Sequence, residues 1–567
     1  MKKFLLVCLS LLLSGSIVSA KDVSATKSMR ALRNDNFNEG QLGTLEIQMN
    51  VGKCFLSEFQ KNKPVEPPAD AAKRGYYIFL RNYLFDITPF TNPTAQEMAK
   101  KEIKIFATPG EYEPIVFGVQ ALANLSGIKI IVSDFVNEKN EKIPSAAFQV
   151  NNVEYRPLGM ESVVVTSWVC QKVKDIPKLE EGLAKQIWID VKIPEEAKEG
   201  VYKGKVSFAP ANKPAYDIPV EIKVFPYKLL QPPIDVMTWA PIMAGTWDFE
   251  QLEKEFIAIK EHGMTGEITG SLASEGGNFT KANKYMELAK KAGLPGKFVD
   301  FSMHCQGTSR YDTTYGFGGA RGDQLWSQAT YNKLTEAVEA TKKNADANKW
   351  LPFSIYLTTE LGSTNADPNK GYEKTIKGSL EYYKAARKVP GISLMATFNR
   401  QEQLTQCWDL PTLDEFGFNG EMFPDWEKGA KKKPSWMTFV SVNDRLGYGL
   451  YLWKYRITAC RPWCLFNSEL VRDETCLLYY YNKEEHPVVR FKRIREAVDD
   501  YKYMYTLSET VKQAKAKGKD TKAAELVMQK ITDKIPHDHK KDTPGFDYTK
   551  MDDMRFELGQ EIVKLLK

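Results

Sequence analysis

The chain is poor in histidine and cysteine. Five histidines are scattered over 567 residues with no clustered His/Cys spacing, so neither a zinc site nor any other metal or organic cofactor is expected. Eight cysteines are too few for a disulfide scaffold, which a chain of this length does not need. Cys8 falls in an N-terminal apolar run. The other seven (Cys54, Cys170, Cys305, Cys407, Cys460, Cys464 and Cys476) are odd in number, so at least one stays free unless it pairs between chains. Cys460-Arg461-Pro462-Trp463-Cys464 leaves room for a bridge. Charge of one sign is also lacking: the net value is +6, which gives no reason to expect nucleic acid or a membrane surface. The basic run Lys428, Lys431, Lys432 and Lys433 ends at Pro434 and reads as a solvated loop. Beyond the first 20 residues no uninterrupted apolar run reaches the roughly 20 residues of a spanning helix, so no membrane insertion is expected.

What is present is organisation. Lys2 and Lys3 precede an apolar run from Phe4 to Leu13, and Val18-Ser19-Ala20 comes next as a small-residue cleavage site. Residues 1–20 therefore read as a signal peptide, and the mature protein as secreted or periplasmic. Across 21–229 short apolar runs recur between turns such as Thr108-Pro109-Gly110, a spacing that predicts a β-sandwich. Leu230-Gln231-Pro232-Pro233 is a linker. After it strands alternate with helices. The strands are expected at 236–243, 266–272, 297–304, 351–362, 392–398, 416–422, 436–440 and 463–466. The helices include 249–262, 280–292, 328–348 and 372–387. Eight such strands over 230–510 suit a (β/α)8 barrel. The charged tail, 511–567, reads as a C-terminal helical extension.

The stretch 351–362, LPFSIYLTTELG, is apolar until Thr358, Thr359 and Glu360. A carboxylate at the C-terminal tip of a barrel strand is where such enzymes keep a catalytic acid. Aromatic and polar residues gather around other strand tips: Trp239 and Trp247 at the first, His304 after the third, Tyr356 beside Glu360, Trp463 at the last. Trp453 lies just ahead of that last strand. Sugars offer C–H faces to rings and hydroxyls to polar groups, so the pattern suits an oligosaccharide or polysaccharide. Core packing is the commoner fate of any lone Trp, and only the clustering argues for a pocket. Glu360 is thus the candidate general acid/base, with a pKa raised by apolar surroundings. A second carboxylate would sit about 5–5.5 Å away in a retaining enzyme and about 6.5–9.5 Å away in an inverting one. Glu267, Glu421 and Glu469 all lie near strand ends, and the sequence does not choose among them. Glu421 is also a candidate substrate contact.

Three segments carry a resemblance. They are 185–208 (KQIWIDVKIPEEAKEGVYKGKVSF), 447–454 (GYGLYLWK) and 488–507 (VVRFKRIREAVDDYKYMYTL). Together they resemble glycoside hydrolase family 123, with Ala497 where that group usually has glycine. The resemblance implies a β-N-acetylgalactosaminidase built as a sandwich followed by a barrel. Its catalysis is substrate-assisted, by an Asp-Glu pair in the pattern Y-L-x-D-E-P that closes the fourth strand. Tyr356 and Leu357 match that pattern, and Glu360 stands at the acid. Thr359 stands where the Asp belongs, and Leu361 replaces the Pro. A hydroxyl carries no charge to stabilise an oxazolinium, so the departure bears on which substrate fits. A non-catalytic glycan-binding protein on a glycosidase scaffold and a scaffolding protein acting through its sandwich are the alternative readings.

Overall fold

Alternating apolar residues build the first half of the protein from two sheets. The computed structural model describes residues 66–567 except 90, 159–163, 241–247, 271, 273–276, 304–326, 359–371, 399–403, 406, 408–409, 419–434, 438–443, 463, 466–476, 482–483 and 537–545. In chain order the strands are β1 (Tyr76–Phe79), β2 (Ile103–Ala107), β3 (Tyr112–Ala121), β4 (Leu125–Val132), β5 (Phe135–Val136), β6 (Lys142–Ile143), β7 (Phe148–Leu158), β8 (Val164–Lys172), β9 (Asp175–Leu179), β10 (Ala184–Lys192), β11 (Gly200–Ala209) and β12 (Tyr216–Val224). One sheet has the order β1-β3-β10-β7-β8; the other runs β2-β12-β11-β4-β9, with β5 and β6 appended. On β12, Ile218, Val220, Ile222 and Val224 are buried while Asp217, Pro219, Glu221 and Lys223 are not. That period of two is what a one-sided sheet requires. Central β10 is buried at every residue but Lys192, because its outer face is covered by the second half of the protein.

That second half is a closed parallel barrel. Its strands are β13 (Asp235–Trp239), β14 (Gly266–Thr269), β15 (Phe298–Asp300), β16 (Phe353–Thr358), β17 (Ser393–Phe398), β18 (Glu415–Phe418), β19 (Ser435–Met437) and β20 (Ala459–Cys460). Helices α1 (Phe249–Glu261), α2 (Thr280–Ala292), α3 (Gln328–Ala347) and α4 (Tyr372–Arg387) alternate with the first five strands. Local chemistry sets their ends. The Asp248 carboxylate accepts hydrogen bonds from the N–H groups of Glu250 and Gln251 at the start of α1, both at 3.1 Å. Gly293 ends α2 at φ +76°, a conformation that costs glycine least.

The final barrel strand corrects the sequence expectation. It is Ala459–Cys460, not 463–466, and it closes the barrel by pairing with Asp235 and Val236. Two residues suffice for that closure, and a strand so short has no readable pattern. Cys460 and Cys464 are buried and form no disulfide, so the short bridge does not form.

Short helices α5 (Asp444–Gly447) and α6 (Leu450–Lys454) precede β20; hairpin β21 (Leu478–Tyr481) and β22 (Glu484–Pro487) comes after it. The chain then enters α7 (Val489–Ala516), α8 (Lys522–Lys534) and α9 (Met551–Leu566). Val488 bridges to Val169 of β8, so sandwich and barrel meet through backbone pairing. Buried ion pairs reinforce the seam. Asp190 of β10 meets Lys492 at 2.5 Å and Arg495 at 2.9 Å. Arg555 of α9 meets Glu113 of β3 at 2.9 Å, with Glu496 and Asp500 of α7 at 3.0 and 2.5 Å.

Candidate active site

Alternation along each barrel strand decides which side chains enter the lumen. At the C-terminal ends of the first, third and fourth strands Trp239, Phe301 and Tyr356 turn inward and meet. Their ring centroids are 5.5 Å (Trp239–Phe301), 5.7 Å (Trp239–Tyr356) and 5.1 Å (Phe301–Tyr356) apart, at interplanar angles of 77°, 61° and 51°. Such edge-to-face and tilted contacts are the favourable ones for aromatic quadrupoles. The Tyr356 hydroxyl shares a hydrogen bond with Thr397 Oγ1 of the fifth strand at 2.5 Å. Together they give the upper lumen an aromatic floor with a polar edge.

A charged layer lies beneath. Glu415 accepts hydrogen bonds from Ser354 Oγ at 2.7 Å, Ser393 Oγ at 3.2 Å and Arg461 Nη2 at 3.2 Å, and it pairs with Lys297. Ser354 precedes Tyr356 by two residues on β16, which places it one layer down on the same face. Burial pushes Lys297 down to about 8, with Arg461 adding to the effect. Burial likewise lowers Arg461 to about 10, against the pull of Asp235. Two cations beside Glu415, with the Asp235 carboxylate acting on both of them, let Glu415 be buried with its charge partnered. The sequence reading missed this layer, and also Phe301. A Lys, a Glu and an Arg scattered at strand ends give no signal until the barrel closes.

Two further strand carboxylates, Glu267 and Asp300, face away from the lumen. Glu267 is buried and accepts a hydrogen bond from Tyr285 of α2, so it points into the helix layer. Burial holds it well above the usual carboxylate range. Asp300 accepts from Ser302 N at 2.9 Å. It shares the alternation of Phe298, whose ring meets Phe256 and Tyr285 on the helix side.

Of the residues singled out from sequence, Trp239 and Tyr356 are therefore brought together, and Trp453 is not. Trp453 sits on α6, its ring 5.5 Å from that of Tyr501 on α7. Helix α6 leads into the N-terminal end of β20, the side of the barrel opposite the aromatic floor. Glu360, Thr359, Trp247, His304, Trp463, Glu421 and Glu469 lie outside the described residues. Glu360 comes two positions after Thr358, the last residue of the fourth barrel strand. Among the described residues no group of three or more His, Cys, Asp or Glu could hold a metal ion. No helix among them is long and apolar enough to cross a membrane.

The fold is shared with a glycoside hydrolase. The chain is similar to a family 123 glycoside hydrolase from Clostridium perfringens at TM-score 0.64 and 12% identity, over 86% of this chain and 97% of that one. At that identity the likeness is one of fold. A family 39 glycoside hydrolase from Bacteroides cellulosilyticus WH2 aligns at TM-score 0.35 and 11% identity, over 71% of this chain and 82% of that one. A Bacteroides ovatus family 5 xyloglucanase aligns at TM-score 0.28 and 10% identity, over 70% and 98%. These two weaker likenesses carry no weight. No protein-family model matches the chain, and no curated protein sequence does.

Proposed function

We propose that the protein is an exported glycoside hydrolase that cleaves an oligosaccharide or polysaccharide, with Glu360 as general acid/base. The observation that carries this reading is the inward-facing aromatic floor of Trp239, Phe301 and Tyr356. It stands at the end of the barrel where such folds do chemistry, just before Glu360 on the chain. The fold shared with a family 123 enzyme over 97% of that enzyme's length supports it. An apolar ring surface beside a carboxyl group favours the protonated form that an acid needs in order to donate to a leaving oxygen. Trp247, His304, Trp463 and Glu421 complete the proposed pocket by contacting the sugar.

Thr359 favours a variation on the family chemistry. An uncharged hydroxyl beside the acid gives little to a developing oxazolinium. The reading therefore splits into a sugar without a 2-acetamido group, cleaved with a second carboxylate, or a site that binds glycan without turning it over. The secreted protein, expected to begin at Lys21, is assayed on a panel of aryl glycosides and polysaccharides, with product anomers monitored by NMR. Glu360→Gln is expected to lower kcat by about 10²- to 10⁴-fold, the usual worth of a general acid. Near-normal turnover by that variant removes Glu360 from the mechanism, and tight binding without turnover by the wild type selects the binding protein. Activity of Thr359→Asp on an N-acetylhexosaminide would mark a pocket still shaped for that ring.

A further inference from the structure

The fourth barrel strand is irregular just where it matters. Tyr356 pairs with Met395, but the next pair is Thr358 with Ala396, so two residues of β16 advance against one of β17. Leu357 is the extra residue of a β-bulge, which bends a strand and re-aims the residues beyond it. The bulge disturbs the ladder, and a side chain stands in for it. The hydroxyl of Tyr383, on α4, accepts a hydrogen bond from Thr358 N at 3.1 Å and donates one to Met395 O at 2.7 Å. Tyr383 and Thr358 are both fully buried. On the lumen side the Tyr356 hydroxyl holds Thr397 of the same neighbouring strand. The last turn of β16 is thus tied to β17 from both faces of the sheet.

We infer that Tyr383 is a positioning residue for the proposed acid. Its hydroxyl fixes the backbone at Thr358, and Glu360 is two residues further along the chain. This rests on the reading of Glu360 given above. Tyr383 does not touch substrate: its ring lies outside the sheet, in the helix layer. Its effect reaches the chemistry through backbone geometry, where a misplacement of about 1 Å costs on the order of a hundredfold in rate.

The test uses the full-length protein with Tyr383→Phe, which removes the hydroxyl and keeps the ring. Tyr382→Phe is the matched control: it is the adjacent buried tyrosine of the same helix, packed against Tyr331. On a glycoside whose turnover needs Glu360, Tyr383→Phe is expected to lower kcat at least about tenfold with KM within about twofold. It is also expected to move the pH limb that reports the acid, while Tyr382→Phe changes neither. Hydrogen exchange needs no substrate: the Thr358 amide is expected to lose protection in Tyr383→Phe and keep it in Tyr382→Phe. Wild-type kcat and pH profile in Tyr383→Phe, in an enzyme that Glu360→Gln inactivates, overturn the positioning role and leave the function standing. An unchanged Thr358 amide overturns it as well. Full activity of Glu360→Gln overturns the functional reading itself.

Discussion

Replacing Arg555 with Met tests what holds the two halves of the protein together. The guanidinium is 1% exposed. It donates through Nε to Asp500 at 2.5 Å, through Nη1 to Glu113 and Glu496 at 2.9 and 3.0 Å, and through Nη2 to the Glu496 carbonyl at 2.6 Å. Glu113 comes from the sandwich and the other two from α7, so one side chain neutralises carboxylates from both sides of the seam. Methionine keeps most of the volume and removes the charge. Breaking a buried ion pair by deleting one partner costs about 3–5 kcal/mol, and that loss is expected at pH 7. The pH dependence sharpens the test. Burial pushes Glu111 up to about 8, with Asp499 adding to the effect and Arg555 opposing it. Burial also raises Glu113 and Glu496, and Arg555 opposes both. An acid raised in the fold carries an extra proton there, so its penalty begins at the unfolded value, about 4.3, and grows by about 1.4 kcal/mol per pH unit up to the folded value. Without the cation these acids rise further. Below its wild-type folded value an acid holds its proton in both proteins. The pH-dependent part of the gap is therefore expected to open only above that value, about 8 for Glu111, and the gap to be larger at about pH 9 than at pH 7. Urea unfolding at the two pH values reads it. A loss below about 1 kcal/mol at pH 7, or the same loss at both pH values, refutes the reasoning.

Two further changes separate crowding from charge. A Cβ at Gly266 would lie 2.0 Å from the backbone oxygen of Lys297, whereas one at Gly270 meets nothing within 4 Å. Gly266→Ala is expected to lower stability by several kcal/mol or abolish soluble expression, and Gly270→Ala to stay within about 0.5 kcal/mol; equal melting temperatures would count against the close approach of β14 and β15. Asp190→Asn is expected to cost about 3–5 kcal/mol at pH 7. Burial works against the Asp190 charge, but Lys492 and Arg495 outweigh it and hold its pKa well below the usual range. A depressed acid stabilises the fold above its unfolded pKa and loses that contribution as pH falls toward its folded one. The difference between wild type and variant is therefore expected to shrink below about pH 3.9, and denaturation curves at pH 7 and pH 3 check it.

Much of the barrel was legible because its elements announce themselves locally. Helices 280–292 and 372–387 match the observed α2 and α4 at both ends, since amphipathic spacing and, for α2, a terminal glycine are written in the chain. Strands β16 and β17 were equally plain as apolar runs. Trp453 shows the limit. It stood close in sequence to the last strand, but closeness along the chain does not say at which end of a barrel a residue emerges.

The amino-acid order alone determined the two-part architecture and the aromatic character of the barrel mouth, because period-two and helical patterning are local properties of consecutive residues. Which rings meet, which carboxylates turn outward and where the eighth strand closes were decided only by tertiary structure. Glu113 and Arg555 are 442 residues apart, and no local rule reaches across that separation. Their partnership exists because burying apolar faces forces the charges into a space where only each other's company makes them tolerable.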